Sequence, residues 1–337
     1  MIDSAVIIAT GSHTHTSHLT YNRPHTMLPA LGKPLCVRVM DRLYRIGIKK
    51  YTVILGEQEG TVANYLNSRW HREPDIEFIL KSESQPMGKV LSSIAMQQTQ
   101  PMIIAGYNSF THEHFPARLR KYHDLSPADL ILAGATNSLS RSDTQTFARI
   151  DLPGTGEVGY TTTPRQAAEV VTAINPEMSP AHLNLYLTNI AACGTTFIEF
   201  LQKLTPEDVR CNTLMDIFAA YVRKGHTARL ARSGWVMQVQ EDRDLITLNR
   251  HLLDEQMDAH ILSEVPYTVK IIEPVRIDPG VSVGQGATIG PHVYLESGSS
   301  VGREAVVKNS IVLGRATVKG HETVKDSIIS TRERIQL

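Results

Sequence analysis

Between Ile277 and Leu313 an apolar residue returns at every sixth position: Ile277, Val283, Ile289, Leu295, Val301, Val307 and Leu313. A second register of smaller residues runs beside it, through Val275, Val281, Ala287, Val293, Ser299, Ala305 and Ile311. Glycines at 280, 284, 286, 290, 298, 302 and 314 punctuate the turns. Neither a helix, at 3.6 residues per turn, nor a strand, at two, repeats with this period. A six-residue period instead sends one apolar residue per short strand into a triangular coil of parallel strands, with about three hexapeptides to each turn. Residues 275–329 are therefore expected to form about three coils. The register slips by one after Leu313, to Val318 and Val324, as expected near a terminal cap. An irregular all-β tail does not give so regular a run of matches. The pattern specifies architecture and leaves activity open.

The first half of the chain reads differently. Ala5-Val-Ile-Ile-Ala9 is a continuous apolar run closed by Thr10-Gly11, the mark of a buried parallel strand followed by a loop. After a segment rich in turn chemistry, Cys36, Val39, Met40, Leu43 and Ile46 fall at helical spacing, and Gly47 is placed to end the helix. Strands are predicted at 51–55, 76–80 and 102–105, with helices at 60–69 and 88–97. This alternation predicts an α/β fold with a doubly wound, mixed or parallel, Rossmann-like sheet. In such sheets ligands sit beyond the carboxyl ends of the strands, so the loop at 10–25 and the end of the 102–105 strand should face a site. A further amphipathic helix is predicted over 242–260. The expected organisation is a domain over 1–245, a helical linker over 246–270 and the coil over 271–337.

Composition limits the partners. The 337 residues carry 34 Lys+Arg against 34 Asp+Glu, so the chain lacks the cationic surplus that counterion-driven nucleic-acid binding needs. No apolar stretch approaches a membrane span and no secretory signal is read, so no membrane partner is expected. Three widely spaced cysteines, Cys36, Cys193 and Cys211, form neither a disulfide framework nor a CxxC module, and a reducing cytoplasm is the expected compartment. Cys36 and Cys193 read as buried structural thiols. The anomaly is histidine: of 14 in the chain, His13, His15, His18 and His25 fall within 13 residues.

Several segments resemble the sugar-phosphate nucleotidyltransferases, or NDP-sugar pyrophosphorylases. Ala9-Thr10-Gly11-Ser12-His13-Thr14-His15-Thr16-Ser17-His18-Leu19-Thr20 keeps the frame of that family's A-G-G-x-G-T-R-L-x-P-L-T opening. Arg23-Pro24-His25 through Pro29 and Gly32-Lys33-Pro34-Leu35 follow its R-P-K-x-L-L-P and G-K-P-L. Pro86-Met87-Gly88 is similar to its P-L-G segment near the nucleotide base, Ile104-Ala105-Gly106 to the strand before its metal-binding aspartate, and Thr188-Asn189-Ile190-Ala191 to its N-A-G strand. Met215-Asp216-Ile217-Phe218 and Ser233-Gly234-Trp235 match the end of its catalytic domain. The resemblance implies a nucleotidyltransferase domain joined to a left-handed parallel β-helix. It also implies a reaction in which a sugar phosphate attacks the α-phosphorus of a nucleoside triphosphate and pyrophosphate leaves.

The groups that the family uses for this chemistry are replaced. His13 stands for the second loop glycine, where a side chain obstructs backbone approach to phosphate. His15 stands for the loop arginine and His25 for the lysine, exchanging permanent cations for imidazoles with an ordinary pKa of about 6.5. Tyr107 and Gln238 stand for the two metal aspartates, and Thr162-Thr163-Pro164 for the sugar-contacting E-K-P. No anionic pair of hard oxygen donors is left to hold Mg²⁺.

The expectation is a catalytically degenerate member of the family. It would be a regulatory or ligand-sensing subunit with a remnant nucleotide or sugar-phosphate pocket at Gly11, His13, His15, His25, Gly88, Gly106, Tyr107, Asn189 and Gln238. No catalytic residue, metal ligand or cofactor is assigned. The alternatives are a divergent active nucleotidyltransferase that uses Mg²⁺ to make an NDP-sugar, and an assembly scaffold with a closed pocket. Partners would be the nucleotide or sugar-phosphate ligand and further subunits, in a homo-oligomer or with an active paralogue. The clustered histidines, with His112-x-His114, also carry two lesser readings: a transition-metal site, or imidazoles that become charged beside a phosphate.

Overall fold

The structure, a computed structural model, describes residues 2–11, 19–21, 23–127, 129–140, 145–150, 169–174, 184–255 and 260–336. It forms two compact units, one of residues 1–11 with 39–238, the other of residues 12–38 with 239–337. Among the described residues no helix is long and apolar enough to cross a membrane.

The predicted alternation is present in the first unit. β1 (Ser4–Ala9) precedes a short hairpin of β2 (Pro29–Ala30) and β3 (Lys33–Pro34), which belongs to the second unit. Helix α1 (Leu35–Arg45) stops before Gly47, whose φ of +91° suits glycine, and leads to β4 (Lys50–Leu55). Then follow α2 (Gly60–Arg69), β5 (Asp75–Leu80), α3 (Met87–Gln97), β6 (Met102–Gly106) and β7 (Ser109–Thr111). After α4 (Phe115–Leu125) come β8 (Leu130–Ala135), β9 (Phe147–Ile150), β10 (Glu169–Ile174) and β11 (Asn184–Cys193). Helices α5 (Thr195–Gln202) and α6 (Leu214–Arg223) precede β12 (Ala228–Arg232) and β13 (Val236–Gln238).

Nine of these strands make one sheet in the order β5-β4-β1-β6-β11-β8-β12-β10-β9. The first four run parallel, and β11 is inserted antiparallel between β6 and β8. The sheet is therefore mixed. Its parallel half is the part read from the apolar runs, because strands covered on both faces carry no polar alternation. From β1 the chain builds outward through β4 and β5, then returns to place β6 on the other side of β1. That reversal is the topological switch at which such sheets bind ligands.

Three acidic residues are accounted for by helix starts. Thr213 and Asp216 form a reciprocal capping box at the start of α6, each bond 3.1 Å. Glu241 and Asp244 do the same for α7 (Asp242–Asp254). The helix predicted to reach residue 260 ends at Asp254.

At the start of α3, Gly88 lies against backbone. Its N–H donates to the Cys211 carbonyl at 2.9 Å, and a Cβ there would lie 2.6 Å from the Asp208 carbonyl oxygen. Asp208 holds that segment: its carboxylate accepts from the Thr205 hydroxyl at 2.5 Å and is paired with Lys224. Burial opposes its ionisation, but the Lys224 and Thr205 hydrogen bonds prevail and hold the carboxyl below the usual aspartate range.

In the second unit, Asn249 of α7 ties down the β2–β3 hairpin, accepting from Leu31 N–H at 2.9 Å and donating to the Pro29 carbonyl at 3.2 Å. The coil follows through β14 (Lys270–Ile271), β15 (Val275–Ile277), β16 (Ser282–Val283), β17 (Thr288–Ile289), β18 (Val293–Leu295) and β19 (Ser300–Val301). It continues through β20 (Val306–Lys308), β21 (Ser310–Val312), β22 (Thr317–Val318), β23 (Thr323–Lys325), β24 (Ser327–Ile329) and β25 (Arg334–Gln336). These strands stack in three sheets, parallel except for β25, which folds back antiparallel on β24. Ile277, Ile289, Leu295, Val307 and Val324 fill the interior.

The register slip lies earlier than the sequence pattern placed it. Val275 faces Val293, 18 residues on, and Ile289 faces Val307 at the same spacing. Val293, however, faces Ser310, and Leu295 faces Val312 instead of Leu313. One residue is therefore lost between Val307 and Ser310, where Asn309 takes a left-handed φ of 42°. Val312 and Leu313 are both apolar and both buried, so the hydrophobic pattern alone allowed either register.

Two outcomes test these contacts. A Cβ at Gly302 would lie 2.3 Å from the Gly320 amide nitrogen, backbone against backbone. Gly302→Ala should therefore lower stability by about 1–3 kcal/mol in denaturant titration. Asp208→Asn should destabilise the first unit by about 1–3 kcal/mol at pH 7. Because the folded-state pKa of Asp208 is depressed, the aspartate's advantage is present above its unfolded pKa and is lost as pH falls. The melting temperatures of the two proteins should converge below about pH 4.

Candidate functional site

Three strands deliver the site residues to one end of the sheet. Ile8 of β1 lies beside Gly106 of β6 on one side and Ile54 of β4 on the other, so the loops after all three strands leave together. Tyr107 continues from β6, and its N–H donates to the Ile8 carbonyl at 3.0 Å, extending the parallel pairing past the strand end. It is 4% exposed.

Around Gly106 the polar groups crowd closely. A Cβ on Gly106 would lie 3.0 Å from both Asn189 Cβ and Ser109 Oγ, and 3.3 Å from Asn108 Oδ1. Gln238 enters through the two-stranded ribbon of β13 and β7, in which it faces Ser109. Gly106, Tyr107, Asn189 and Gln238 are thus gathered within one neighbourhood. Asn189 Oδ1, Ser109 Oγ and Thr188 Oγ1 are buried and accept or donate no hydrogen bond among the described residues. Unsatisfied buried oxygens of this kind are uncommon, and they suit a hydroxyl-bearing ligand or water.

Gly11, at the end of β1, meets a partner that the sequence reading does not anticipate. Its N–H donates to Glu59 Oε1 at 2.7 Å. Glu59 lies in the Gly56-Glu-Gln-Glu-Gly60 turn after β4, and is 1% exposed. The signal in the sequence was an acidic residue inside a glycine-bounded turn at the carboxyl end of a strand. Its partner, 48 residues away, was not visible.

Other expected residues fall elsewhere. His13, His15, His18 and Thr162-Thr163-Pro164 lie outside the described residues. His25 belongs to the second unit, buried in a one-turn helix over His25–Met27. Gly88 sits against the Asp208 and Val209 carbonyls, so packing by itself requires a glycine there. His112 and His114 are neighbours, with ring centroids 5.5 Å apart, and His112 Nδ1 accepts the His114 N–H at 3.3 Å. Among the described residues no group of three or more His, Cys, Asp or Glu side chains could hold a metal. Cys36 and Cys193 are buried, and burial pushes both thiols up, that of Cys36 to about 12. Neither is a nucleophile at neutral pH.

The positions that the resemblance assigns to Mg²⁺ do not fit the ion. Tyr107 offers a phenol and Gln238 an amide, and the groups beside them, Asn108, Ser109 and Asn189, are neutral as well. Mg²⁺ is held in proteins through one or two carboxylates together with substrate phosphates.

Residues 4–143 match the nucleotidyl transferase family model, and residues 271–337 match that of the GMPPB C-terminal domain. The bifunctional protein GlmU of Methanococcus maripaludis is 22% identical over 294 residues, 86% of this chain; the chain spans 62% of that relative's length. UTP–glucose-1-phosphate uridylyltransferase AglF of Haloferax volcanii is 22% identical over 244 residues, 71% of this chain and 93% of that protein. UTP-bound UGPase from Acinetobacter baumannii shares the fold with a TM-score of 0.59 at 13% identity, over 76% of this chain and 94% of the solved one. A UDP-glucose pyrophosphorylase complexed with UDP-glucose gives 0.57 at 14% identity, over 76% of this chain and all of the solved one. The resemblance to the sugar-phosphate nucleotidyltransferases therefore holds domain by domain: a nucleotidyl transferase domain over residues 4–143 is followed by a GMPPB C-terminal domain over residues 271–337.

Proposed function

We propose that this chain is a catalytically degenerate sugar nucleotidyltransferase that binds a nucleotide, sugar phosphate or NDP-sugar and acts as a regulatory or ligand-sensing subunit. One observation carries the reading. By the resemblance, Tyr107 and Gln238 stand for the family's two metal aspartates, and Tyr107 is buried with its backbone bonded into the sheet. Nucleotidyl transfer asks little covalent chemistry of the protein and depends on positioning and on neutralising charge at the phosphates. A phenol and an amide supply neither the metal nor the charge. The scaffold around them is retained: Gly106, Asn189 and Ser109 still converge, with buried oxygens lacking partners among the described residues. Convergence of these groups without the charge that phosphate transfer needs supports binding without turnover. The coil supports assembly, because stacked coils expose strand edges and ends. The partner would be a second copy or an active paralogue, in the cytoplasm.

The test is pyrophosphate release from purified protein given each of the four common NTPs or dTTP, a panel of sugar 1-phosphates, and Mg²⁺ or Mn²⁺. Calorimetry follows the same ligands. Binding without pyrophosphate is expected. Turnover would make the chain a divergent enzyme, and absence of both would leave an assembly scaffold. Asn189→Ala should weaken binding of the ligand found by about tenfold while preserving the melting temperature. Replacing Mg²⁺ by a chelator should change the affinity by less than about tenfold, since no protein carboxylate stands at Tyr107 or Gln238 to complete a metal site.

A further inference from the structure

Glu59 is a buried carboxylate with no counter-charge paired to it among the described residues. Oε1 accepts the Gly11 N–H at 2.7 Å, while Oε2 is buried with no hydrogen-bond partner among the described residues. No cation pairs with it among those residues. Two glycines wrap the carboxylate: a Cβ at Gly11 would lie 2.4 Å from Oε1, and one at Gly56 would lie 2.3 Å from Oε2. Glu59 also stands at the N-cap of α2, where an acidic side chain ordinarily accepts from the helix's free amides, yet it makes no such bond. The side chain forgoes the local cap and reaches across to the first loop.

The amide it reaches is the informative one. Gly11 follows β1 at the topological switch, where sheets of this kind present backbone N–H groups to ligands. A backbone N–H at that position favours an anion, and a carboxylate oxygen is chemically the internal equivalent of a phosphate oxygen. Burying a carboxylate with one oxygen unpaired is costly, so the arrangement needs an offsetting role.

We propose that Glu59 is an internal anion that occupies the Gly11 amide and competes there with phosphate. It does so by taking the hydrogen bond and by repelling a second negative group. An anionic ligand enters only as Glu59 is displaced. The proposal rests on the reading that this end of the sheet takes a phosphorylated ligand. It adds that ligand entry is opposed by the protein's own carboxylate.

The experiment uses the full chain and its Glu59→Gln and Glu59→Ala variants, with inorganic tripolyphosphate as the probe in calorimetry. Amide hydrogen exchange at Gly11 is followed in the same samples, and melting temperatures verify folding. Gln keeps the shape and removes the charge; Ala removes both. Both variants are expected to bind tripolyphosphate about ten- to a hundredfold more tightly than the parent. Gly11 exchange should be slow in the parent, faster by about tenfold or more in Glu59→Ala, and slow again when tripolyphosphate is added. Equal affinity in the parent and both folded variants overturns the role of Glu59 and leaves the ligand-binding reading standing. Absence of binding in all three overturns both. Unchanged Gly11 exchange in Glu59→Ala overturns the contact itself.

Discussion

The parallel pairing of β1 with β4 on one side and β6 on the other decides which loops meet, and the rest of the first unit follows from it. Ile8 lies beside both Ile54 and Gly106, and Tyr107 N–H extends the ladder to the Ile8 carbonyl. Once that register is set, Gly11, the Gly56–Gly60 turn and the Gly106–Ser109 segment leave the sheet at the same end. A shift of one residue in β1 would turn its buried side chains over and move Gly11 away from Glu59.

The electrostatics of that end are inverted relative to what phosphate handling calls for. By the resemblance, Tyr107 and Gln238 stand where metal carboxylates are expected, while the buried Glu59 beside Gly11 is a carboxylate. Glu59 places that charge on a loop amide. Other acidic residues have structural work: Asp216 and Asp244 complete capping boxes, and Asp208 pairs with Lys224. Ser109 and Asn189, which face Gly106, are neutral and carry buried oxygens with no partner among the described residues, an arrangement suited to hydroxyl groups more than to metal-bound phosphate.

In the second unit the same chain obeys a different rule. The coil has no helices to bury its strands, so each turn covers the next, and apolar residues at six-residue spacing fill the centre. Close backbone stacking at Gly284 and Gly302 leaves no room for side chains. The residue lost near Asn309 passes through the stack without breaking it, because each later strand pairs at the new 17-residue spacing.

The sequence by itself determined the two architectures. Apolar runs of five or six residues alternating with helical spacing can only be buried in a sheet covered on both faces, and a six-residue period can only be buried in a coil. Through a recognisable frame it also grouped Gly106, Tyr107, Asn189 and Gln238 in one expected pocket, and the fold brings them into one neighbourhood. Tertiary structure alone decided the antiparallel insertion of β11, the position of the register slip, and the contact of Glu59 with Gly11. The reason is common to all three. Local pattern records which residues must be buried, but not which of two adjacent apolar residues, such as Val312 and Leu313, points inward. Nor does it record which distant backbone group a buried carboxylate will find. Those choices are made by pairing across the sheet and across the coil, between residues tens of positions apart.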